Sequence, residues 1–83
     1  MIATGATQEG FEISPRFRQS IEVRIARLEQ DADRDEAELA RLFDEDHIRR
    51  HLRLVALERA EALRMRTFLG RCRPRLPRPL IAL

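Results

Sequence analysis

The stretch LFDEDHIRRHL, Leu42 to Leu52, decides the fold. Upstream of it a stripe runs through Ile21, Ile25, Leu28, Ala32, Asp35, Leu39 and Leu42, with spacings that alternate four and three. That is a heptad seam with one polar member, Asp35. Continued past Leu42, the seam asks for apolar residues near 46, 49 and 53, where the chain has Asp46, Arg49 and Arg53. The apolar set resumes instead at Ile48, Leu52, Val55, Ala62 and Leu69, one residue out of phase. One residue is about 100° of helix rotation. The three- or four-residue insertions that coiled coils absorb do not give this shift. The spacing therefore predicts that one helix stops near Asp44 and a second starts there. Asp44 is the expected N-cap, and Glu45 and Asp46 lie in the first turn, where the helix dipole favours acids. The rival is a single rod over residues 15–71, roughly 85 Å long at about 1.5 Å per residue.

The expected fold class is all-α: an antiparallel two-helix hairpin over 15–72, with helices at about 15–43 and 45–70. Ser14 and Pro15 mark the first start, as N-cap and first helical residue. Within DADRDEAE, Asp33 followed by Glu36 resembles a capping box that would begin a new helix. Continuity is preferred because Leu28, Ala32 and Leu39 stay in phase across it. Residues 1–14 read as a flexible arm. FEIS within it has strand character, with no neighbouring partner. Gly70 ends the second helix, and residues 73–83 form a tail held extended by Pro74, Pro77 and Pro79.

Eighty-three residues make one small domain. Two helices of this length cannot enclose a dry core, so a third element or a second chain has to supply the missing walls. A hydrophobic content of 43% is too high for a disordered chain carrying 36% charge. No apolar run approaches the roughly 18–20 residues of a membrane span, and MIATGATQEG lacks the layout of a secretion signal. With a single cysteine, Cys72, the expected setting is the cytoplasm.

Charge is polarised. Residues 1–46 carry twelve acids and six arginines, and residues 47–83 carry two acids and ten arginines, which invites the halves to lie together within or between chains. All sixteen basic residues are arginine, whose forks suit carboxylates and phosphates and whose stems cover apolar surface. Arg59 is expected to reach Asp35 across an antiparallel pair. The second helix carries Leu54, Leu63 and Met65 beside its stripe and Leu57 and Phe68 nearly opposite, an arc that needs covering from more than one direction.

Among chemical constellations, Asp44, His47 and His51 are the one metal-like group, since histidines four apart and a carboxylate one turn earlier share a helix face. Arg49 and Arg50 lie between the histidines and Asp44 is claimed by capping, so no metal and no cofactor is expected. Cys72 lies between Arg71 and Arg73, which would favour its thiolate; a half-buried thiol is the plainer reading. Tryptophan and tyrosine are absent and no glycine-rich phosphate loop occurs, so neither a small-molecule substrate nor an enzymatic activity is expected.

The expected function is protein–protein interaction, as a small adaptor, regulator or assembly subunit. It would bind itself as a dimer and another protein through Leu54, Leu57, Met65 and Phe68 and through Leu76, Leu80 and Ile81 of the tail. The alternative is a DNA-associated regulator whose Arg49, Arg50, Arg53, Arg71, Arg73, Arg75 and Arg78 track phosphates. The order short strand, helix, helix is similar to that of ribbon-helix-helix repressors, through FEIS and RDEAEL. This chain departs from them in its acidic strand and its glycine-free inter-helix turn.

Overall fold

The computed structural model describes residues 10–75. They form a strand β1 (Phe11–Ile13), a helix α1 (Pro15–Glu38), a single 3-10 turn (Leu39–Arg41), a helix α2 (Glu45–Gly70) and a strand β2 (Cys72–Pro74). The chain is a helical hairpin.

Each helix starts where a short polar side chain can replace the missing carbonyl acceptors. Ser14 is extended and its Oγ accepts the Phe17 N–H at 3.1 Å, with Pro15 next. At the hairpin tip, Asp44 is likewise extended and its Oδ2 accepts the His47 N–H at 2.9 Å. The helix runs unbroken past Asp33 and Glu36, so the capping-box reading there fails. It stops at Glu38 instead of residue 43; the 3-10 turn then tightens the exit, and Leu42 donates to the Leu39 carbonyl at 3.2 Å. Leu42 and Asp44 take extended backbone, and no residue of the turn has positive φ. That is why the reversal needs no glycine.

The arm and the tail correct the sequence reading. Phe11–Ile13 has a partner at the far end of the described chain: β1 and β2 pair in parallel, with Phe11 opposite Cys72, Glu12 opposite Arg73 and Ile13 opposite Pro74. Phe11 donates to the Arg71 carbonyl at 3.0 Å, and Arg75 donates to the Ile13 carbonyl at 2.8 Å. The ends of the described chain are thereby tied at the open end of the hairpin. Pro74, which has no N–H to give, is tolerated because its N side faces away from β1 and, among the described residues, the sheet has two strands. Residues 1–9 and 76–83 lie outside the described residues.

The core gathers beside this ribbon. Ile13, Ile25, Ala62 and Leu69 form one buried cluster, with Ile21, Leu28, Met65, Phe68 and Cys72 half-buried around it. Ala32 and Ala62 are 0% and 2% exposed, so the helices approach closely at mid-length. The seam of α2 runs through Ile48, His51, Val55, Glu58, Ala62, Met65 and Leu69, all buried or half-buried, whereas Leu52 is exposed. The expected stripe took the residue four after each anchor (Leu52, Arg59, Arg66) where the packed one is three after (His51, Glu58, Met65). Among the described residues, no helix is long and apolar enough to cross a membrane.

Candidate interaction surface

The described residues are two helices side by side with a two-stranded ribbon at one end, and no third helix or sheet among them lies over either side of the seam. Among the described residues the architecture is therefore one layer deep, and its two broad faces differ in kind.

One face is laced by ion pairs between the helices. Arg66 donates to both carboxylate oxygens of Glu29 at 2.8 Å, and Arg59 donates to Asp33 at 3.1 Å and to Glu36 at 2.6 Å. Arg59 thus meets Asp33 and Glu36, not the expected Asp35: one turn of α1 offers carboxylates on both flanks, and the guanidinium takes those on its own side. The Arg66 fork holds the Glu29 carboxyl below the ordinary carboxylate range, against a smaller desolvation that works the other way.

The other face is a groove. Near the ribbon it is lined by Phe17, Ser20, Ile21, Arg24, Arg64, Met65 and Phe68 around a cavity of about 490 Å³. Phe11 lies over Phe68 with ring centroids 5.6 Å apart. Arg64 is paired with Glu61 on its own helix, while Arg24 has no ion-pair partner among the described residues. Towards the tip the same rows of the helices turn acidic. Counting in fours and threes from Arg24 leads through Leu28 and Asp31 to Asp35, and from Met65 back through Glu61 to Glu58.

Asp35 and Glu58 occupy the seam together. The Asp35 side chain is 14% exposed, and Glu58 Oε1 is buried without a hydrogen-bond partner. Burial raises the Glu58 carboxyl above its usual range. The neighbouring Asp35 and Asp31 raise it further and Arg34 only partly offsets them. Two ionised carboxylates are both acceptors, so they can hydrogen-bond only when one carries a proton.

Of the expected interface residues, helical spacing puts Leu54, Leu57, Met65 and Phe68 on the groove side of α2. Leu57 is 60% exposed, in the same row as Phe68 and three turns nearer the tip, and Leu76, Leu80 and Ile81 lie outside the described residues. Phe11, Phe17 and Val23 are further exposed apolar residues that the sequence reading did not single out, as is Phe43, 94% exposed at the tip. Their signal was present, since each is an apolar residue off the seam.

The metal-like group is not assembled. The Asp44 carboxylate caps α2, and the His47 and His51 rings stand edge to face with centroids 6.2 Å apart. Among the described residues no group of three or more potential ligands is placed to hold a metal ion. His51 Nε2 is instead buried in the seam without a partner. Cys72 is half-buried and its thiol donates to the Phe68 carbonyl at 3.2 Å.

The candidate phosphate contacts split into two groups at opposite ends of α2. Near its start, Arg49 pairs with Asp46 at 3.3 Å, and Arg50 and Arg53 are exposed. At the ribbon, Arg71 and Arg73 are exposed and Arg75 donates to the Glu12 carbonyl at 3.3 Å, while Arg78 lies outside the described residues. No family model matches this chain, and no curated protein or solved structure shows significant similarity to it.

Proposed function

We propose that this chain is a non-enzymatic protein–protein interaction module, a hairpin that self-associates into a four-helix bundle and binds a further protein through α2 and the C-terminal segment. The observation that carries this reading is the single-layer architecture. A stable domain packs at least two layers around a core, and here one layer leaves Phe11, Phe17, Val23, Leu52, Leu54, Leu57 and Leu63 between 41% and 65% exposed. Such apolar surface on a small chain marks a contact site. The test is light scattering coupled to gel filtration, with helical content followed by circular dichroism over a dilution series. The expected result is a dimer whose melting temperature falls on dilution. A monomer that unfolds cooperatively at a concentration-independent temperature would overturn the proposal.

A second reading, a DNA-associated regulator, is supported by Arg50, Arg53, Arg71 and Arg73, which are exposed and have no ion-pair partner among the described residues. Duplex DNA titrated at two salt concentrations decides it. Each neutralised phosphate adds about 0.9 to the log–log salt slope, and absence of binding at low salt removes the reading.

A further inference from the structure

We infer that a second copy of this chain covers the groove face head to tail, so that Arg24 of each copy meets the Asp35–Glu58 carboxyl pair of the other. The inference rests on the self-association proposed above and adds to it a face, a direction and a contact.

The face follows from which charges are already satisfied. On the ion-pair face, Glu29 with Arg66 and Arg59 with Asp33 and Glu36 complete one another across the helices, so burying that face under a partner would strip solvent from paired charges for little gain. The groove face has an apolar floor of Phe17, Ile21, Met65 and Phe68. Beyond that floor sit two half-buried carboxyls: Arg34, which pairs with Asp31 at 3.1 Å, reaches Asp35 only at 3.9 Å, and Glu58 has no ion-pair partner among the described residues.

The direction follows from charge. Along the groove face α1 carries Arg24 towards the ribbon and Asp31 and Asp35 in the middle, with Glu58 beside Asp35 on α2. Asp31 is paired with Arg34 at 3.1 Å and Arg64 with Glu61, which leaves Arg24 on one side and Asp35 with Glu58 on the other to set the direction. A copy laid parallel would stack four seam carboxyls together. A copy laid antiparallel sets each Arg24 over the other chain's Asp35 and Glu58. Arg24 and Asp35 are eleven residues apart on α1, so the two-fold axis of the antiparallel arrangement falls between Leu28 and Ala32 of that helix. The partner's guanidinium also supplies what Glu58 Oε1 lacks, a donor.

The experiment is a charge swap read by sedimentation, with a distance measurement beside it. Arg24→Glu and Asp35→Arg are made separately in the full chain. Each alone sets like charges against each other twice per dimer, and its dissociation constant is expected to rise at least about tenfold. Mixed in equal amounts, the two variants face opposite charges at both contacts, and the dimer is expected to return. Two folded variants that stay dimeric singly, or that fail to combine when mixed, overturn the arrangement.

Because Asp35→Arg can fail to fold, spin labels at Phe43→Cys in a Cys72→Ser background give an independent readout. Phe43 lies about fourteen residues from the midpoint of Arg24 and Asp35. Head-to-tail copies should therefore hold the two labels about 40 Å apart, and head-to-head copies within about 20 Å. A wild-type chain that is monomeric throughout overturns the self-association itself. A wild-type dimer with close labels overturns the head-to-tail arrangement alone.

Discussion

Gly10→Ala tests whether the paired ends belong to the fold. A Cβ built at Gly10 would stand closer than 3.0 Å to the Arg71 carbonyl oxygen, a backbone atom, and 3.5 Å from its carbon. That oxygen cannot retreat freely, because it accepts the Phe11 N–H at 3.0 Å. The strands must therefore separate, losing this bond and straining the Arg75 to Ile13 bond at the far end. Once β1 lifts, Ile13, only 7% exposed, leaves the core and Phe11 leaves Phe68. Removing an isoleucine from a core costs about 2–5 kcal/mol and each hydrogen bond about 1 kcal/mol. Freedom regained by the released arm offsets part of this. The expected net loss is about 2–3 kcal/mol, or roughly 10–20 °C in melting temperature for a domain of this size. Gly70→Ala is the matched control: nothing lies within 4 Å of the added Cβ and its φ is negative, so it should be neutral or gain about 0.5–1 kcal/mol. Thermal and urea melts at one fixed protein concentration measure both, and hydrogen exchange follows the Phe11 and Arg75 amides. A Gly10→Ala chain as stable as wild type, with both amides still protected, would refute the reasoning.

Four further outcomes are expected. Glu58→Gln should gain about 1 kcal/mol near neutral pH in the dissociated hairpin, measured at concentrations dilute enough to keep it monomeric, since the amide donates to Asp35 without a borrowed proton. The Glu58 carboxyl is raised in the fold above its ordinary 4.5, so wild-type stability from this group is greatest at and below that pH and falls as pH rises through the folded value. Urea melts from pH 4.5 to 7 should show that slope in wild type and lose it in the variant; an unchanged slope contradicts the pairing. Asp44→Ala removes the cap at the hairpin tip and should lower stability by about 1 kcal/mol, with amide exchange quickening first at His47. Ala62→Leu should cost about 1–3 kcal/mol in a melt despite the added apolar area, because Ala62 and Ala32 leave no room between the helices. Replacing the seam acids together, Asp35→Leu with Glu58→Leu, should raise stability by about 1–4 kcal/mol, as exchanging seam charges for well-packed apolar groups often does whether or not the charges are paired; a lower melting temperature would contradict the reading that these acids cost the fold stability.

The features legible in the sequence were those whose physics is local. Ser14 and Asp44 each precede a helix that needs an acceptor for the N–H three residues on, and both side chains accept that N–H. The phase slip near Asp44 named the hairpin because a rotation of about 100° cannot be hidden along a packed seam. The ribbon was illegible for the opposite reason. Strands of three residues carry no periodicity, and the partner of FEI contains a proline and lies beyond two helices. The phase of α2 was half legible. Ile48, Val55, Ala62 and Leu69 anchor it in either reading, and choosing Leu52 over His51 follows hydropathy. The structure chooses by reach: Arg59 and Arg66 have stems long enough to leave the seam and find acids on its flank, so Met65, Glu58 and His51 take the inner positions. Glu58 was missed for that reason, though it lies one heptad from both His51 and Met65.

This choice of phase bears on why a small hairpin would keep acids in its seam at all. Leucine at 35 and 58 would extend the apolar cluster of Ile25, Leu28, Ala62 and Leu69 along the whole interface, at a gain in stability. It would also make the groove face apolar from end to end, and such a face accepts a second hairpin in either direction. A polar residue at an inner heptad position is the known device for removing that ambiguity, trading stability for register. Here the device has a sign as well as a polarity. In the proposed dimer, carboxyls at mid-seam and an Arg24 without an ion-pair partner among the described residues, eleven residues back towards the ribbon, would reward one orientation and penalise its reverse. The cost of Glu58 in the seam would then fall on the single hairpin and be relieved on association, so that the acids weakening one copy would be the groups that select how two copies meet.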